Sequence, residues 1–387
     1  MGTYLMRNGV RGPMIPARGV LSPSAVSFYN PVTRPGTTPE TENPGREPME
    51  PVRVGLMGFG RIGRNLFRIL YGRDDIHIAA ISDVADPRSL EYLLRFDTIL
   101  GRFPDEVSIK DGHLYVRGRQ IPMLSGKEPG DVPWDELGVD VVVEATARPR
   151  MRAELKPYLD RGVKQVILCA PPAERPDITV VMGVNDDRLR PEHRIVSNAS
   201  CTAHAAAPIV KILDDALGIE KAFMTTVHAY TNKQRLADVP AADKRRGRAA
   251  AENIIPQETN SAEVIMGLLP DLRGRIVGMA MNVPVPNGSV VDLVCWHDKP
   301  VTPTAINEVV RTAAASHWRG ILDYEDEPIV SSDIVRSSFS GTFDSLATMV
   351  LGEHVSKTLV WYDNGWGYAH RVVDLIGRFV DIEKEAA

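Results

Sequence analysis

Three segments carry residue types whose spacing suits chemistry. The first is Gly58-Phe59-Gly60-Arg61-Ile62-Gly63. In a GxGxxG turn the first glycine permits the tight bend and the second lets the backbone approach a pyrophosphate. The third lets helix and strand pack closely. A phosphate group then meets the positive end of the following helix. A short apolar run precedes this turn, a helical pattern follows it, and Asp83 stands beyond a second strand-like run. An acid in that place binds ribose hydroxyls and repels a 2′-phosphate, so NAD is favoured over NADP.

The second segment is Ser197-Asn198-Ala199-Ser200-Cys201-Thr202. Cys201 falls where a strand-like run gives way to a helical pattern. A helix N-terminus lowers a thiol pKa and raises the thiolate population. The third is Thr225–Asn232, with His228 at the end of a strand-like run. A histidine beside a cysteine takes the thiol proton and later serves as acid or base. Cys169 and Cys295 lie in apolar strand-like runs and read as inert, buried thiols.

These residues need a scaffold, and the apolar periodicity supplies one. Val52–Met57, Ile76–Ile81, Val139–Val143 and Val163–Cys169 read as strands. Helical spacing runs through Ile62–Leu70 and Met151–Leu159. Strand alternating with helix implies a Rossmann-type, doubly wound parallel α/β sheet. After Cys201 the texture changes. Ala203–Leu217 and Thr304–Ala315 read as helices, while Ala222–Val227, Ile276–Val285, Ser289–Trp296 and Leu359–Tyr362 read as strands. A last helix starts near Trp366. This half reads as α+β with a largely antiparallel sheet. The expected organisation is a dinucleotide-binding domain of residues 51–200 plus 365–387 and a catalytic domain of residues 201–364.

Residues 1–50 differ from the rest. Eight prolines, six glycines and no apolar period cannot offset the entropy of ordering. The segment reads as a disordered tail, a transit-like segment or a start placed ahead of Met49. A net charge of −5 argues against nucleic-acid binding. No apolar run approaches the ~20 residues of a membrane span. Three widely spaced cysteines are neither a disulfide framework nor a zinc site, so a reducing compartment, the cytoplasm, is expected with no metal.

From about Val52 to Ile382 the chain resembles the phosphorylating glyceraldehyde-3-phosphate dehydrogenase family. The blocks GFGRIGRN, SNASCT, HAYTN, RRGRAAAENIIP, GMAMNVPVPN and WYDNGWGY occur in the family's order. The resemblance implies that Cys201 attacks an aldehyde and that His228 takes the proton. It also implies NAD as hydride acceptor, release of a thioester by inorganic phosphate, and a homotetramer. Asn364 and Tyr368 would contact the cofactor together with the glycine turn. Ser200, Thr202, Thr259, Asn260 and Arg246 would form the attacking-phosphate site, and Thr231 would hold the substrate's phosphate.

Several residues depart from that pattern. Asn282 stands where the family has an arginine for the substrate phosphate, and Lys233 stands where bacterial relatives often have an acid. Either Lys233 supplies the missing cation, or the two changes are independent. His204, one helical turn after Cys201, either tunes the thiolate or lies on the helix surface, and the surface position is the default reading. Ala147 replaces a glycine of the family. The default reading is oxidation of glyceraldehyde 3-phosphate to 1,3-bisphosphoglycerate. The alternatives are a paralogue acting on another aldehyde (erythrose 4-phosphate, an unphosphorylated aldehyde or a phosphonate) and a non-catalytic paralogue.

Overall fold

The computed structural model describes residues 50–386. The readings of the first 49 residues lie outside the described residues. The order begins β1 (Val52–Met57), α1 (Arg61–Leu70), β2 (Ile76–Ser82) and α2 (Pro87–Arg95). Four short strands follow: β3 (Phe96–Asp97), β4 (Gly101–Arg102), β5 (Val107–Lys110) and β6 (His113–Val116). Then come β7 (Arg119–Leu124), β8 (Val141–Glu144), α3 (Arg152–Asp160), β9 (Gln165–Leu168), β10 (Ile178–Thr179) and β11 (Ile195–Ser197).

One sheet has the order β10-β11-β9-β8-β1-β2-β7-β6-β5. From β10 to β7 every pairing is parallel. All residues of β8 and β9 are buried, as strands covered on both faces must be. The edge departs from expectation. β5, β6 and β7 form an antiparallel meander, built from turns with left-handed Asp111, Gly112, Arg117 and Gly118. Its strands are too short to show a period.

The chain continues with α4 (Cys201–Leu217), β12 (Lys221–Ala229), β13 (Ile255–Gln257), α5 (Ser261–Leu268), β14 (Ile276–Val283) and β15 (Ser289–Trp296). It ends with α6 (Pro303–Ala315), β16 (Leu322–Glu325), β17 (Gly341–Leu351), β18 (Val355–Tyr362) and α7 (Trp366–Ala386). The second sheet has the order β13-β14-β12-β15-β18-β17-β16. It is largely antiparallel, with β12–β14 and β16–β17 parallel.

On β15 the alternation read from the sequence holds. Val291, Leu293 and Cys295 face the core with Ile209, Leu213 and Ile306 of the helices, and the intervening residues are half-buried. The opposite face carries a row of paired residues, Val277, Phe223, Val294, Lys357 and Met349, one from each of five adjacent strands. Phe223 and Val277 are more than half exposed there. α7 returns to the first sheet, where Val372, Leu375 and Phe379 share a core with Leu66, Phe67 and Leu70.

Just beyond β8, Ala147 has φ +60°, a left-handed conformation that a Cβ disfavours. Ala147→Gly should therefore stabilise the chain. The gain is about 0.5–1 kcal/mol after glycine's own entropy cost, or roughly 1–2 °C in melting temperature. Calorimetry on both proteins checks it, and a lower melting point for the glycine variant would refute the strain.

Candidate active site

The glycine turn lies where the first sheet's strand order diverges, at the carboxyl end of β1 between β2 and β8. Such a crevice is where open α/β sheets bind ligands. Each glycine has its own steric reason. Gly58 has φ +96°, and a Cβ there would meet the Thr146 nitrogen at 2.7 Å. A Cβ on Gly63 would strike the Gly58 carbonyl oxygen, so this glycine lets α1 sit against the turn. Gly60 has open space at its Cβ position and is exposed beside the first residue of α1, Arg61. Asp83, just past β2, accepts from the Phe59 nitrogen at 2.7 Å and the Ala85 nitrogen at 2.9 Å. Phe59 and Ile62 are buried and half-buried against the core. A closed turn, an open second glycine and a carboxylate beside it fit the pyrophosphate and ribose of NAD.

Cys201 is the first residue of α4. Ser200 caps that helix, its Oγ accepting from the Ala203 nitrogen at 3.1 Å. His228 is near the end of β12, and its Nε2 lies 3.5 Å from Cys201 Sγ. The ring's tautomer is fixed from behind. Nδ1 donates to the Ala229 carbonyl at 2.6 Å, so a neutral ring presents its Nε2 lone pair to the thiol. Burial pulls the His228 pKa down, but the bond to Cys201 and the charge on that sulfur outweigh it. The net direction is upward. A transferred proton is therefore held well on this ring.

Hydroxyl groups surround the pair. Ser200 Oγ is 3.2 Å from Ser261 Oγ, to which Thr259 Oγ1 donates at 3.1 Å. Ser261 begins α5, and Asn260 occupies its N-cap position without a side-chain cap bond. The starts of α4 and α5 thus converge on Ser200 and Thr259. Thr202 is not in that group. It is buried, and its hydroxyl pairs with the Tyr362 hydroxyl at 2.8 Å. Tyr362 also meets Thr226 Oγ1 at 2.8 Å and stands edge-on to the His228 ring at 6.0 Å. Burial raises its pKa, so it stays a neutral hydroxyl.

The other expected phosphate ligands lie on other elements. Arg246 is exposed on the loop before β13, in an ion pair with Asp243 at 3.2 Å. Thr231 donates through both its nitrogen and Oγ1 to Gln234 Oε1, at 2.7 and 3.0 Å. Asn282 is paired with His228 across the parallel β12–β14 register. It is buried, and its amide lies 3.4 Å from the Ala229 carbonyl that holds His228. Lys233 is exposed.

Asn364 follows β18, and its Oδ1 accepts from Ser289 Oγ at 3.4 Å. Asp363, which sequence reasoning passed over, fixes it in place. Its carboxylate accepts from Asn287 Nδ2, Arg336 N, Gly365 N and Trp366 N, at 2.6 to 2.8 Å. An aspartate just before a helical run was the available signal for such a cap. Ser261 and Gln234 had no comparable signal.

Two readings need correction. His204 is not on the helix surface but 1% exposed, because α4 is sandwiched between the second sheet and Tyr368. Cys169 lies one residue past β9 rather than within a strand, and it is only partly buried by area. Burial still pushes its pKa up to about 12, as it does for Cys295. Tyr368 sits in the interior, edge-on to His204 at 6.1 Å. Among the described residues no helix is long and apolar enough to cross a membrane.

Comparison with known proteins places this arrangement. Residues 52–151 match the family model for the glyceraldehyde 3-phosphate dehydrogenase NAD binding domain, and residues 200–364 match that for its C-terminal domain. The chain is 47% identical over 325 residues to glyceraldehyde-3-phosphate dehydrogenase of Geobacillus stearothermophilus, covering 84% of this chain and 97% of that one. It is 49% identical over 327 residues to that of Streptomyces coelicolor, with the same two coverages. The enzyme of Mycobacterium leprae is 48% identical over 333 residues, covering 84% and 98%. The chain belongs to the glyceraldehyde-3-phosphate dehydrogenase family, and NAD is its cofactor.

Proposed function

We propose that this chain oxidises glyceraldehyde 3-phosphate, with NAD and inorganic phosphate, to 1,3-bisphosphoglycerate. The observation that carries the reading is Cys201 Sγ at the start of α4, 3.5 Å from a histidine whose other nitrogen is tied to a carbonyl. His228 takes the thiol proton, and the thiolate adds to the aldehyde carbon. His228 hands that proton to the oxygen as the thiohemiacetal forms and takes it back as the carbonyl re-forms. When bound, NAD supplies the acceptor for the hydride that leaves that carbon. Gly58 to Gly63, Asp83 and Asn364 are the residues that would hold it. A thioester on Cys201 remains, and phosphate attacks it to release the acyl phosphate and free the thiolate. Ser200 and Thr259, at two converging helix starts, suit that phosphate.

Cys201→Ser should lower turnover by at least about three orders of magnitude, since a serine hydroxyl is a far weaker nucleophile at neutral pH. NAD binding should persist. Steady-state kinetics and a cofactor titration check both halves, and near-normal turnover would remove the thioester mechanism.

Residues 51–200 plus 365–387 would act as the NAD-binding domain and residues 201–364 as the catalytic domain, working in the cytoplasm. The exposed apolar row through Phe223 and Val277 supports self-association, with a homotetramer as the assembly. Light scattering at micromolar concentration should give a mass near four chains. A monomer would refute it.

A second reading rests on Asn282, an uncharged, buried residue beside His228. An amide forms weaker bonds to phosphate than a guanidinium does, by about 1 kcal/mol or more each. Activity with phosphorylated aldehydes would then be modest, and another aldehyde would be the better substrate. Asn282→Arg should raise kcat/KM for glyceraldehyde 3-phosphate about tenfold. Lys233→Ala should reduce it if the lysine has taken over the charge. Kinetics on phosphorylated and unphosphorylated aldehydes separate these cases. If neither variant changes the preference, the substrate's phosphate binds elsewhere.

A further inference from the structure

Ala199 stands two residues before Cys201 with φ +48°, in the left-handed region. Its conformation sets where α4 begins and so where the thiol points. Two carbonyls bracket it, and His204 holds both. The His204 backbone nitrogen donates to the Ser200 carbonyl at 2.9 Å, and its ring Nε2 bonds the Asn198 carbonyl at 3.1 Å. A carbonyl accepts only, so Nε2 carries the ring's proton.

The surroundings make this bond a fixed one. Burial first, and then the charge of Arg371, hold the His204 pKa down to about 3, so the ring is neutral at any working pH. Asn198 is fully buried, and its side chain interacts with the Tyr368 hydroxyl. The Asn198 nitrogen donates to the Leu168 carbonyl at 3.1 Å, and the peptide that joins Asn198 to Ala199 is held by its nitrogen, donating to Ser197 Oγ at 3.3 Å, and by the His204 ring on its carbonyl. Tyr368 closes the far side, edge-on to His204.

We propose that His204 is the positioning residue for Cys201: its Nε2–H fixes the Asn198 carbonyl, and with it the left-handed Ala199 turn that sets the thiol against His228. The inference rests on the reading of Cys201 as the nucleophile. Its effect is geometric, because a ring that stays neutral adds no pH-dependent field.

The test measures alkylation of Cys201 by iodoacetamide across pH in the full chain, by mass analysis of the Cys201 peptide. Melting temperature and NAD binding are measured on the same samples. His204→Leu fills the space without a donor, and His204→Gln restores an N–H at similar reach. The leucine variant should alkylate at least tenfold more slowly at pH 7, with its pH midpoint moved upward. Its kcat should fall by a similar factor, with KM for NAD within twofold. The glutamine variant should recover to within threefold of the parent. If both variants alkylate like the parent, or both lose reactivity equally, the ring only fills space and the proposal is overturned. Should the leucine variant not fold, His204→Asn, whose shorter amide draws the donor back toward the helix, replaces it with the same expected loss. If alkylation follows these expectations but a fully alkylated Cys201 still supports turnover, positioning stands and the nucleophile reading fails.

Discussion

The His228 ring is aimed by one backbone oxygen. The Ala229 carbonyl accepts Nδ1–H, and the Asn282 amide lies near the same oxygen. The nitrogen of Ala229 donates in turn to Ser289 Oγ at 3.0 Å. Three neighbouring strands therefore meet at one residue, and the register of the second sheet decides where the ring points. A slip of one position would turn His228 onto the face that carries Phe223. The long apolar pairings that fix the register are as much a part of the chemistry as the ring.

The thiol is aimed from the other side, by the turn that joins β11 to α4. The two halves are linked where they converge. Tyr362, at the end of β18, bonds both Thr202 of α4 and Thr226 of β12, so helix and strand share one hydroxyl. One residue further, Asp363 ties the start of α7 to Asn287 and Arg336. An ionised carboxylate with four donors has nearly all its acceptor capacity in use, which makes this joint rigid.

Much of this was legible in sequence, for local reasons. Strands such as Val52–Met57 and Ser289–Trp296 carry their burial as a continuous or alternating apolar pattern. The glycine turn and Cys201 announce themselves through the change from strand to helix. What stayed hidden depends on partners distant in the chain. The parallel pairing of β12 with β14 puts Asn282 beside His228, and no local period encodes that pairing. The edge meander of β5 to β7 hides in four- to six-residue strands. His204 looked like a surface residue because its helix was judged alone, whereas burial comes from both sides of α4. Gln234, locked to Thr231, and Ser261, joining two helix starts, act through side-chain hydrogen bonds that leave no pattern in sequence.

α7 adds a constraint of another kind. It is the last element of the chain, yet its apolar side chains complete the core against α1, close to the beginning. On a ribosome, the nucleotide-binding sheet emerges first but lacks its covering helix until the entire second sheet has been translated. The nascent first half waits with Leu66, Phe67 and Leu70 uncovered, and such exposed apolar surface is what chaperones recognise and what aggregates. The first half thus becomes a finished body only after the second sheet and α7 have been made.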